Sequence, residues 1–131
     1  MKRRTLALTI TFCIAGCVPM NPSAANAAGK WKVSWRCGVE TLELKTDGTY
    51  AYAIDFQGGG RATDAGRWTM AAKSERLKGA EVVLLNAVDP CDSFGDRIDR
   101  PRRADRNLET IWEWGRMTLS FSPDTQGFKR M

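Results

Sequence analysis

The apolar residues of this chain recur with a period of two, and that constrains its fold more than any other feature. Trp31, Val33 and Trp35 alternate with Lys30, Lys32, Ser34 and Arg36, and Leu42 and Leu44 alternate with Glu43 and Lys45. Tyr50, Tyr52, Ile54 and Phe56 alternate with small or acidic residues, and Met117, Leu119 and Phe121 alternate with Thr118, Ser120 and Ser122. Side chains alternate across a strand, so each run has one face for a core and one for water. Gly66–Ala72 reads as a short strand, and Ala80–Val88 is apolar on both faces, as a more fully buried strand would be. Asp47-Gly48 predicts a tight hairpin, and Gly115-Arg116 a similar turn between 109–114 and 117–122. The span Ala71–Gly79 has room for a helix of a turn or two at most. Short turns join antiparallel strands, and seven or so strands in about 100 residues favour closure, which removes unpaired edges. The expected fold is all-β, a small antiparallel meander forming a closed or partly open barrel.

The N-terminus carries a different signal. Lys2, Arg3 and Arg4 precede ten uncharged, mostly apolar residues, Thr5–Ile14. That run is too short to span a bilayer as a helix, which needs about 20 residues, but it fits the core of a secretory signal. Ile14-Ala15-Gly16-Cys17 follows. It resembles the bacterial lipobox, which implies cleavage before Cys17 and acylation of its sulfur and new amino group. Several acyl chains give stable membrane anchoring. Asp after the lipidated Cys marks inner-membrane retention in such lipoproteins; here Val18 follows, which favours the outer membrane. Ala25-Asn26-Ala27 offers an ordinary cleavage site instead and would release a soluble periplasmic protein. The expected organisation is a signal peptide over 1–16, a lipidated Cys and flexible linker over 17–29, and one domain over 30–131.

Cleavage before Cys17 removes Lys2, Arg3 and Arg4 and no acid, which lowers the net charge from +5 to +2. The basic balance is therefore partly a property of the signal, and no nucleic-acid partner is expected. Of the four Cys, Cys13 leaves with the signal and Cys17 takes lipid, so Cys37 and Cys91 remain. In an oxidising compartment one disulfide is the simplest outcome, the alternatives being a two-thiolate metal site or two free thiols. The chain has no His, which excludes Ser-His-Asp and Cys-His nucleophile systems, His-ligated metal and a histidine pH switch.

The run Cys37-Gly38-Val39-Glu40-Thr41-Leu42-Glu43-Leu44-Lys45-Thr46-Asp47-Gly48-Thr49-Tyr50, with Gly66-Arg67-Trp68 after it, resembles the lipocalin-like barrel of bacterial outer-membrane lipoproteins. The likeness is to the N-terminal domain of the NlpE copper-resistance and envelope-stress family. Gly29-Lys30-Trp31 is a second G-x-W, where lipocalins carry theirs on the first strand. The resemblance covers about residues 29–88 and implies a lipocalin-like fold. The family's Cys-x-x-Cys is reduced here to Cys37 alone, so neither metal nor redox sensing carries over, and no metal or other cofactor is expected. The lipocalin T-D-Y signature is missing, as is the S-G-x-x-Y loop of lipoprotein lysozyme inhibitors.

The segment Asp89–Asn107 (DPCDSFGDRIDRPRRADRN) lacks strand or helix periodicity. Loops this long in a compact domain are commonly functional or disordered. It reads either as a solvated loop whose Arg and Asp neutralise each other, or as a surface in which Arg97, Arg100, Arg102 and Arg103 bind a protein partner of the envelope. The five Trp read as core rather than a stacking site: Trp31, Trp35 and Trp68 fall on inward phases, and Trp112 and Trp114 share one face of their strand. Gln57-Gly58-Gly59-Gly60 lacks the following helix and Lys of a phosphate loop and reads as a hairpin connection. Glu109 and Glu113 are ordinary solvent-face residues, and no catalytic constellation is present. Ser122–Arg130 reads as a turn and a short tail, with Phe128 packed on the barrel and Lys129 and Arg130 in solvent. The expected function is non-catalytic: binding of an envelope protein as an inhibitor, an immunity-type factor or a stress or assembly accessory. The alternative is a carrier of a small apolar ligand.

Overall fold

The computed structural model describes residues 23–72, 79–120 and 127–131. It is an all-β closed barrel of eight antiparallel strands in meander order, lipocalin-like in architecture. The short helix α1 (Ala24–Ala27) comes first. The strands are β1 (Gly29–Trp35), β2 (Gly38–Leu44), β3 (Thr49–Phe56), β4 (Arg61–Ala72), β5 (Ala80–Val88), β6 (Arg103–Glu113), β7 (Arg116–Ser120) and β8 (Phe128–Arg130). The inward residues are those the alternation selects: Trp31 and Val33, Leu42 and Leu44, Tyr50, Tyr52, Ile54 and Phe56, Met117 and Leu119. Trp68, Val82, Leu84, Leu108 and Phe128 complete the core. Phe121 and Ser122, and residues 73–78 of the Ala71–Gly79 span, lie outside the described residues.

Several boundaries depart from the sequence pattern, each for a physical reason. The structured domain begins before Lys30, because Ser23 caps α1 and Ala27 is fully buried. The Trp31 indole N–H donates to the Ala27 carbonyl at 2.9 Å, so the end of the expected linker belongs to the fold. β6 starts at Arg103, inside the segment that lacks periodicity, because its first residues are exposed and its first buried position carries Arg106 rather than a large apolar residue. The second hairpin turn is Trp114-Gly115, with φ of 51° and 75°. Trp114 is fully exposed there and is not a core residue. β8 supplies an eighth strand: it pairs with β7 at Leu119↔Phe128 and with β1 at Trp31↔Arg130, which closes the barrel. Arg130 is not simply solvated. Its guanidinium lies 4.6 Å from the Trp31 ring centroid and donates to the Ala28 and Asn26 carbonyls.

The Asp47-Gly48 hairpin forms as a slightly wider loop. The Gly48 amide donates to the Lys45 carbonyl and the Lys45 amide to the Thr49 carbonyl, and Gly48 alone takes positive φ, at 83°. The Asp47 carboxylate accepts from the Thr49 hydroxyl and amide, which holds it below the usual carboxylate range. Because the strands alternate in direction, the barrel has two distinct ends. One carries the β1–β2 turn, the Gly58–Gly60 hairpin and the β5–β6 loop; the other carries α1, the Asp47-Gly48 and Trp114-Gly115 hairpins and the β8 terminus.

Candidate functional site

The β5–β6 loop is not a featureless tether. Cys91 bridges to Arg97, the Ile98 amide donates to the Pro90 carbonyl, and the Asp92 amide donates to the Asp96 carbonyl, which makes a miniature hairpin. One Asp92 carboxylate oxygen accepts from the amides of Phe94 and Asp96 and shapes the tip. The Cys37–Cys91 disulfide, as expected from the cysteine count, fixes this hairpin to the β1–β2 turn. Those two connections sit on opposite sides of an eight-stranded barrel, so the covalent bond reaches across its mouth. The Arg36–Asp96 ion pair at 3.2 Å runs alongside it. At the tip, Phe94 is 78% exposed. The cross-link therefore restrains a loop whose tip carries a large exposed aromatic.

The arginines singled out from sequence separate into two groups. The Arg97 guanidinium lies 4.0 Å from the Phe56 ring centroid and covers the barrel rim. Arg103 reaches across β5, donating to the Asn86 carbonyl at 2.8 Å and pairing with Asp64 at 3.1 Å. Arg100 and Arg102 are exposed and make no ion pair among the described residues. All four are exposed, but Arg97 and Arg103 are engaged with Phe56 and with Asn86 and Asp64, whereas Arg100 and Arg102 are not.

Below this loop the barrel holds a charged group that the alternation hides. Glu40, with no exposed surface, accepts from the Trp35 indole N–H at 2.7 Å. Its other oxygen is 3.9 Å from the Arg106 guanidinium, which also lies 3.5 Å from Asp89, donates to the Val88 carbonyl and sits over the Tyr52 ring. Burial raises the Glu40 proton affinity above the usual carboxylate range, against the pull of Arg106. Burial, with the Glu40 charge beside it, pushes the Tyr52 phenol up as well. Glu40 stands two residues before Leu42, in the apolar phase, and that offset is the one sequence signal that points inward.

A second polar group lies where β4 and β5 part. The Asp64 carboxylate, with a side chain almost wholly buried, accepts from the Tyr50 hydroxyl at 2.9 Å, the Val88 amide at 3.0 Å and Arg103 at 3.1 Å. Burial alone would raise its proton affinity, but these three donors together hold it below the usual range. Tyr50 is pushed up to about 12 by burial and by donating to Asp64. Its ring occupies the place of a side chain at Gly66, where a Cβ would come within 2.9 Å of it.

These clusters serve internal pairing. Among the described residues no group of three or more Cys, Asp or Glu side chains is arranged to hold a metal ion. Glu109 pairs across the ladder with Glu81 and Ser120 and belongs to neither cluster. No protein-family model matches the chain, and no curated protein or solved structure matches it either.

Proposed function

We propose that this protein is a non-catalytic lipoprotein of the bacterial envelope, anchored through Cys17 to the outer membrane and facing the periplasm. It binds an envelope protein through the end of the barrel that carries the β5–β6 loop, as an inhibitor, an immunity-type factor or a stress or assembly accessory. The observation that carries the reading is the cross-linked β5–β6 loop, which holds Phe94 outward and leaves Arg100 and Arg102, in the same loop, exposed. The disulfide lowers the ordering cost of binding, and exposed aromatic and arginine side chains on one loop match the composition enriched at interfaces.

The choice of cleavage site has its own support. Cleavage after Ala27 would delete α1 and remove the acceptor of the buried Trp31 indole, at a cost of about 1–3 kcal/mol for the orphaned donor. Cleavage before Cys17 keeps both. The carrier alternative ranks second because large side chains, Trp31, Tyr52, Trp68 and Phe128 among them, fill the inner face.

The test compares the exported full chain with a Phe94→Ala, Arg100→Ser, Arg102→Ser variant. Each is purified gently from envelope extract and weighed by native mass spectrometry. The expected result is a protein partner on the wild type, released by high salt and reduced at least about tenfold on the variant. Equal retention of every partner by both proteins, or a lipid-sized mass in place of a protein one, overturns the proposal.

A further inference from the structure

Trp114 is the most exposed large apolar side chain among the described residues. It occupies the first central position of the β6–β7 hairpin, where both it and Gly115 have positive φ. A two-residue turn of this kind favours Asn-Gly, and a bulky aromatic at positive φ is sterically disfavoured. The residue therefore costs the backbone something and buries nothing against its own chain. What it gains must come from outside the molecule.

The place of the hairpin says what that is. It stands at the end of the barrel where the chain enters. Ala25, Asn26, Trp112, Trp114, Arg116 and Lys129 line one groove there, of about 1060 Å³. Cys17 precedes Ser23 by six residues, so a chain that rises at most about 3.6 Å per residue puts the anchor within roughly 22 Å of α1. Met131, another exposed apolar side chain, lies at the same end. An indole at a loop tip with cationic neighbours suits the headgroup level of a bilayer, where an apolar ring and a polar N–H are both satisfied.

We infer that the Trp114-Gly115 hairpin seats on the bilayer that holds Cys17, with the Trp114 indole among the headgroups and Arg116 and Lys129 against anionic lipid. The inference rests on the lipid-anchored reading above. It turns the tether into a docked orientation and leaves the Phe94 loop pointing away from the membrane.

The test uses the full chain, extracted from host membranes and reconstituted into phosphatidylethanolamine–phosphatidylglycerol vesicles with and without bromine-labelled lipid. Subtracting the emission of a Trp114→Asn variant isolates Trp114 from the other four Trp. The isolated component is expected to be shifted to shorter wavelength and quenched at least about twofold by the bromolipid, and to lose quenching when phosphatidylglycerol is omitted. Trp114→Phe should keep the vesicle-docked orientation, read as protection of Arg116 from a water-soluble guanidine reagent; Trp114→Asn should lose it. Because Asn suits the turn, the Asn variant should also melt higher, by about 4 °C, so its loss of docking is not a folding defect. A water-exposed, unquenched component in a protein whose mass shows acylated Cys17 overturns this inference alone. A shifted but unquenched component assigns Trp114 to a protein contact and also overturns it. An unacylated Cys17 overturns the anchored reading and this inference together.

Discussion

A carboxylate with no exposed surface persists only if its surroundings return what water would have supplied. Glu40 has the Trp35 indole and the Arg106 guanidinium for this purpose, and Arg106 has Glu40, Asp89 and the Val88 carbonyl. Removing one member strands the other, so Glu40→Leu should destabilise the barrel by about 3 kcal/mol, the lower end for a broken buried pair because Asp89 still faces Arg106. The double variant Glu40→Leu, Arg106→Leu should recover most of that loss, and urea unfolding of the two single variants and the double decides it. Asp64 makes a prediction of the opposite kind. Its folded-state proton affinity lies below the ordinary value of 3.8, so the stability it contributes is complete above that pH and is lost as the pH falls through its folded value. Asp64→Asn should flatten the acid limb of the stability profile below about pH 4 by up to one proton, measured by denaturant titration in steps of pH. An unchanged limb would show that Tyr50, Val88 and Arg103 do not favour the ionised carboxylate.

Among the elements, β5 shows where pattern reading succeeds and where it stops. The strand itself is legible as an apolar run, but its bulge between Leu84 and Ala87 is not. There Asn86 takes φ of 49°; its amide donates to Asp105 and its carbonyl accepts from Arg103, so side chains from β6 satisfy the backbone that the ladder releases. Asp64 fills the gap between β4 and β5 from the other side. Charged residues that close a sheet in this way read in sequence as a solvated loop, which is why β6 is visible only from Glu109 onward and why Arg103 and Arg106 resemble surface residues. β1, β2, β3 and β7 were legible because their inner faces are almost wholly apolar; Glu40 was the exception that the same pattern concealed. The three residues of β8 are too few to show any period. The exposed Phe94 falls in a segment without pattern, where only the three-dimensional hairpin distinguishes it from any other loop residue.

At the scale of the molecule, two ties join opposite walls of the barrel near one mouth: the disulfide from the β1–β2 turn to the β5–β6 loop, and the Glu40–Arg106 pair from β2 to β6. The covalent tie closes a separation of 54 residues, for which the chain-entropy relation gives about 4 kcal/mol. Replacing both Cys37 and Cys91 with Ala should lower stability by about that amount, read by denaturant unfolding under oxidising conditions. On the proposed binding role it should also weaken partner capture more than its effect on folding explains, because the loop then has to be ordered on binding. At the other mouth, α1 is held by Trp31 and Arg130, one from the first strand and one from the last. That arrangement carries a temporal meaning. β8 is made after every other strand, and until it emerges β1 and β7 both present open edges and α1 lacks its arginine clasp. A growing chain therefore cannot seal itself early. However complete the other seven strands are, closure waits for the three residues of β8, which satisfy the edges of β1 and β7 together.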